Sequence, residues 1–201
     1  MIQVRDFLIS SGKNGFVLAC CLLSLPSIGC VERVSTVKNQ FEAVRNQSAI
    51  DQIADVNLGK LNDLVLYDTV KTDSLLRTVK VVENVRRIDL EMTDIRQEGF
   101  RIIASFPSLR ALSIYGGSNR LDDVSWEVIS SIDALEELHL KNVAIDKARL
   151  TKFLQSGRLQ RLSIFDDVSE KSLRLRAKDF EGCLESLTEY DINGELKKPL
   201  N

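Results

Sequence analysis

The sequence of 201 residues holds a single histidine, His139, in the segment LEELHL (Leu135–Leu140). Ser113 in LRALSI and Ser163 in LQRLSI occupy the same fifth position of similarly patterned segments. If these segments are neighbouring strands, a base stands beside two hydroxyl nucleophiles, the first requirement of acyl-transfer chemistry. No group that would orient His139 and no set of oxyanion donors is evident in the sequence. A hydrolase using His139 with Ser113 or Ser163 is therefore kept only as a remote alternative, and no catalytic or cofactor-binding residue is assigned. The four cysteines, Cys20, Cys21, Cys30 and Cys183, lack the paired spacing of a zinc site, so no metal is expected. Gly116-Gly117 is a turn signal rather than a phosphate-binding loop.

The elements that would position these side chains recur along the chain. Apolar residues stand at the first, fourth and sixth positions of six segments: Leu61, Leu64, Leu66; Val85, Ile88, Leu90; Leu109, Leu112, Ile114; Leu135, Leu138, Leu140; Leu159, Leu162, Ile164; and Leu187, Tyr190, Ile192. Successive first positions are 24, 24, 26, 24 and 28 residues apart. The fourth and sixth residues lie two apart, so on a strand they face the same way, into a core. Fifteen and eighteen residues after a first position come Leu76 and Val79, Phe100 and Ile103, and Leu150 and Phe153. A spacing of three puts each pair on one helix face. In the 26-residue unit a two-residue shift gives Trp126 and Ile129, so Trp126 reads as core, with an insertion near Gly116–Asn119. The 28-residue unit, Leu159–Ser186, offers Leu173, Leu175, Phe180 and Leu184 without clean helical phasing.

This pattern resembles the leucine-rich-repeat family, whose unit is L-x-x-L-x-L with a period of 20–29 residues. The resemblance covers residues 57–193. Val85–Ser108 matches best and is similar to the helix-backed subclass of ribonuclease-inhibitor-like and F-box-associated repeats. It implies an α/β leucine-rich-repeat solenoid with parallel strands on a concave face and helices or irregular segments on the convex face. The ninth positions are Thr69, Thr93, Gly117, Val143, Asp167 and Glu195, so the family's asparagine ladder is absent.

Open sheet edges invite aggregation and need caps. Residues 36–54 read as a helix broken near Ser48, with Val37, Phe41, Val44, Ile50 and Ile53 as the apolar face over the first strand. At the other end, Lys197-Lys198-Pro199 would discourage strand addition. The expected organisation is a signal peptide (1–29), a tether with an N-terminal helical cap (30–56) and the repeat domain (57–201) with about six strand units.

On each strand the third, fifth and seventh residues point away from the core. From these come the candidate protein-binding residues Tyr67, Arg87, Asp89, Glu91, Tyr115, Glu137, His139, Lys141, Arg161 and Phe165. Exposed aromatics flanked by charges have the composition of protein-binding hot spots. Asn193 would be the last residue of the seventh-position column.

Residues 15–25 form an uncharged, mostly apolar run preceded by Arg5 and Lys13 and broken by Pro26, which is a signal-peptide pattern. The run is shorter than the roughly 20 residues needed to span a bilayer. Gly29-Cys30 resembles the cut site of a bacterial lipoprotein signal, which implies a lipid on Cys30. Ser27 stands where such signals usually carry Leu. Ser27 and Gly29 suit ordinary signal peptidase equally, leaving Cys30 free to pair with Cys183 in an oxidising compartment. The protein is thus expected in the cell envelope or periplasm, anchored if Cys30 is lipidated, or secreted.

Formal charge is −2; residues 1–29 carry a net +1, so the remainder carries −3. That balance offers no general attraction for nucleic acid, and a membrane would be engaged only through a lipid on Cys30. The expected partner is a protein. An envelope scaffold is the alternative, and the oligomeric state is open.

Overall fold

The computed structural model describes residues 28–116, 121–165, 175–180 and 182–197, with side chains from Asn39 onward. The chain divides into two compact units, Met1–Val37 and Lys38–Asn201. Of the first, only helical backbone from Ile28 is described. The expected signal lies outside the described residues apart from Ile28 and Gly29, which are helical, and so does the side chain of Cys30.

Helix α1 (Ile28–Asn57) is followed by seven strands: β1 (Asp63–Tyr67), β2 (Arg87–Glu91), β3 (Ala111–Tyr115), β4 (Glu137–Lys141), β5 (Arg161–Phe165), β6 (Glu189–Ile192) and β7 (Glu195–Lys197). They form one sheet in chain order, parallel from β1 to β6 and antiparallel between β6 and β7. Helices α2 (Thr72–Leu76), α3 (Gln97–Ala104), α4 (Asp123–Ser130) and α5 (Lys147–Leu154) lie in the returns between strands β1 to β5. The protein is thus α/β, with strand and helix alternating through β5.

The two-residue alternation decides which sheet face is covered. Leu64 and Leu66, Ile88 and Leu90, Leu112 and Ile114, Leu138 and Leu140, and Leu162 and Ile164 are all buried. Full burial of such a side chain stabilises by about 1.5–3 kcal/mol. Against them pack the helix pairs Phe100 and Ile103, Trp126 and Ile129, and Leu150 and Phe153, all buried; Leu76 and Val79 are buried too but share no helix face, because α2 ends at Leu76 and Val79 follows it in the return. Trp126 is a core residue, with its Nε1 buried and without a hydrogen-bond partner among the described residues. Leu61 differs from the other first-position residues in being exposed, because β1 has no strand before it.

The ends of strands β1 to β4 turn alike. Asp68, Met92, Gly116 and Asn142 follow them directly, and all four adopt a left-handed backbone. Beyond the turn, Thr69, Thr93 and Val143 are buried at the position that would carry an asparagine ladder. Carboxylates bind the returns together. Asp94 accepts from Lys71 N–H, Thr72 N–H and the Thr72 hydroxyl, each at 2.8 Å. Burial pushes the Asp94 pKa up, but the bonds from Thr72 and Lys71, with Arg96 nearby, outweigh it and hold the carboxyl below its ordinary value.

Both caps depart from expectation. Helix α1 runs through Ser48 without a break and buries Ala49, Ile53 and Val56, whereas Phe41, Val44 and Ile50 are exposed. The backbone of the edge strand β1 and of the turn after it explains this choice of face. Asn46 Oδ1 accepts Val70 N–H and its Nδ2 donates to Val70 O, both at 2.9 Å, while Gln52 Oε1 accepts Val65 N–H at 2.8 Å. A face made of Phe41 and Val44 could satisfy none of these groups. At the other end β7 adds a strand where the sequence reading ended. Asn193 and Gly194, with φ of 52° and 90°, form the two-residue turn of a β6–β7 hairpin. Asn193 therefore leaves the outward column; its Nδ2 donates to Leu175 O at 2.9 Å. In the last return a 3₁₀ turn at Ala177–Phe180 buries Phe180 and replaces a helix among the described residues, in line with the missing helical phasing; Leu173 lies outside them.

Candidate binding face

The sheet face opposite the helices carries three rows of side chains set by strand register. The third-position row is Asp63, Arg87, Ala111, Glu137, Arg161 and Glu189; the fifth is Val65, Asp89, Ser113, His139, Ser163 and Asp191; the seventh is Tyr67, Glu91, Tyr115, Lys141 and Phe165. All ten candidate residues lie on this face, because parallel in-register pairing stacks equivalent positions strand by strand.

Glu137 is the hub of the third-position row. Its side chain is 11% exposed and forms an ion pair with Arg161 on β5. Its Oε2 also lies 3.3 Å from Arg87 Nη2, on β2. Arg87 reaches across β3 to make that bond, and the residue it crosses is Ala111, buried and too short to block it. The sequence reading had Arg87, Glu137 and Arg161 as separate candidates and passed over Ala111. The signal was there: one small residue in a row of alternating charges.

His139 Nε2 lies 3.7 Å from Glu137 Oε2. The His139 pKa lies below the ordinary imidazole value, first through burial and second through Arg87, with Asp89 and Glu189 opposing. Glu137 is also paired with two guanidinium groups, those of Arg87 and Arg161. Among the described residues His139 makes no hydrogen bond to either serine. Ser113 is buried and its Oγ lacks a partner among the described residues, as does Asp89 Oδ1 beside it on β2. A shallow cavity of about 330 Å³ opens over β2 to β5, lined by Glu91, Tyr115, His139, Lys141, Ser163 and Phe165. Tyr67 is 57% exposed and Phe165 44%.

Among the described residues no cluster of three His, Cys, Asp or Glu is placed to hold a metal ion. No helix among them is long and apolar enough to cross a membrane. Among the described residues Cys183 has no disulfide partner and is half-buried; its expected alternative partner, Cys30, has its side chain outside them.

The fold and this face together define an α/β protein whose sheet is covered by helices on one side and presents ordered charged and aromatic rows on the other. Compared with family models, curated proteins and solved structures, the chain matches none.

Proposed function

We propose that the chain is an exported leucine-rich-repeat solenoid that binds another protein through the open, concave face of its sheet. The observation that carries this reading is the in-register row Tyr67, Tyr115 and Phe165, with the cavity between the last two. Three aromatics on alternate strands stand about 10 Å apart, a spacing that spreads anchors over a protein-sized contact. The strand-and-return period of 24–28 residues supports the repeat reading. The apolar run before Pro26 supports export, and Gly29-Cys30 supports a lipid anchor. The hydrolase alternative is weaker, since Ser113 is buried and neither serine is bonded to His139 among the described residues.

Affinity capture from cell-envelope extracts tests the face. The intact chain should enrich a protein that the Y67A/Y115A/F165A variant loses while its circular dichroism spectrum stays native. Equal capture by the folded variant rejects the reading. Mass spectrometry of the mature N-terminus tests export: a chain beginning at acylated Cys30 supports anchoring, and an uncleaved Met1 removes the export argument.

A further inference from the structure

The seventh-position row has an order that the other two lack. Across β1 to β5 it reads aromatic, acid, aromatic, base, aromatic: Tyr67, Glu91, Tyr115, Lys141, Phe165. Three of the third-position charges satisfy one another, with Arg87 and Arg161 both on Glu137. The seventh-position charges do not. Among the described residues neither the Glu91 carboxylate nor the Lys141 ammonium has an ion-pair or hydrogen-bond partner, and Tyr115 stands on the strand between them. Both line the same cavity, which continues to Phe165.

We infer that this row docks one α-helix of the partner protein, laid across the strands, with a basic residue over Glu91 and an acidic residue two turns away over Lys141. The inference rests on the protein-binding reading of this face and names the chemistry it selects. Charge complementarity sets the end groups. Glu91 lies between two tyrosines, so an arriving guanidinium or ammonium meets a carboxylate together with two π faces. Lys141 lies between Tyr115 and Phe165 and offers its charge to a carboxylate.

Spacing sets the secondary structure of the partner. Glu91 and Lys141 are two strands apart, about 9.6 Å. On an α-helix, residues i and i+7 share a face and lie about 10.5 Å apart. An extended segment returns to the same face every second residue, at about 6.8 or 13.6 Å, and misses that interval on both sides. The helix residue midway, at i+3 or i+4, falls over Tyr115 and is expected to be apolar. A nucleic-acid backbone fits less well, since two of the three basic side chains on this face are held by Glu137.

The test uses the full chain and fluorescent, hydrocarbon-stapled alanine-based helices. One probe carries Arg and Glu at i and i+7 with Leu at i+3. A second carries Glu at both ends, and a third carries Arg and Glu at i and i+4. The chain should bind the first at least about tenfold more tightly than the others. Glu91→Lys should reverse the preference between the first and second probes, because the row then offers two cations. Equal affinity for all three, failure to bind any, or an unchanged preference in Glu91→Lys overturns the inference. The Y67A/Y115A/F165A capture experiment separates the two failures. If the probes fail while that variant still loses its captured protein, the face binds without this charge code. If the variant captures as well as the native chain, the face reading itself has failed.

Discussion

Gly99, in the first turn of α3, leaves room for Asp73 of α2: a Cβ built on Gly99 would lie 2.3 Å from Asp73 Oδ1 and 2.5 Å from Ile95 Cγ1. The same Asp73 oxygen accepts Arg96 N–H at 3.0 Å, just before α3 begins. One return thus caps the helix of the next, and the missing side chain is what lets the carboxylate approach.

Gly99→Ala is therefore expected to destabilise by about 1–3 kcal/mol, despite alanine's better helix propensity, because the extra methyl forces Asp73 off the cap and crowds Ile95. Urea denaturation followed by circular dichroism measures it. In the Asp73→Ala background the same substitution should cost less, since part of the clash is gone. Neutral or stabilising behaviour of the single Gly99→Ala variant would show that Asp73 gives way freely.

Glu137 neutralises two guanidinium groups from β2 and β5, so truncating it leaves both facing each other across the sheet. Breaking a fully buried pair costs roughly 3–5 kcal/mol; both arginines here are more than a third exposed, so Glu137→Ala should cost nearer 1–2 kcal/mol. Ala111→Leu should act on the same contact by blocking the path of Arg87 over β3. A double-mutant cycle of Glu137→Ala with Arg87→Ala measures the coupling. A coupling energy of zero would mean that the reach over Ala111 contributes nothing in solution.

His139 is expected to make stability fall as the pH falls. Its folded-state pKa lies below the unfolded value of about 6.5, so the unfolded chain binds more protons between the two. Stability contributed by the neutral ring is complete above that unfolded value and is lost as pH falls toward the folded one. Unfolding free energy should therefore decline from pH 7 to pH 5, and His139→Gln should flatten that slope. Asp94 and Asp179, whose carboxyls titrate below the ordinary value, add their own loss only at lower pH. Asp94 is held down by the bonds described above. In Asp179 the Arg176 N–H leads, with Lys147 and Lys178 assisting against slight desolvation. The same decline in the His139→Gln variant would place the proton uptake elsewhere.

The sequence by itself determined which residues face the core and which face outward. That information is local: Leu138 and Leu140 are two apart on a strand, and Phe100 and Ile103 three apart on a helix, so each pair shares a side whatever surrounds it. The ten candidate residues followed from the same alternation, and all lie on one face. Tertiary structure decided what those residues do to one another. Arg87 reaches Glu137 because register sets Ala111 between them, and a row of letters does not show that one side chain can pass over another. It also decided the face of α1, where the hydrogen bonds of Gln52 with β1 and of Asn46 with Val70 just beyond it, together with burial of Ala49, Ile53 and Val56, outweighed the more apolar pair Phe41 and Val44. Hydrophobic periodicity records what a segment can bury; which face it does bury depends on the backbone groups waiting opposite.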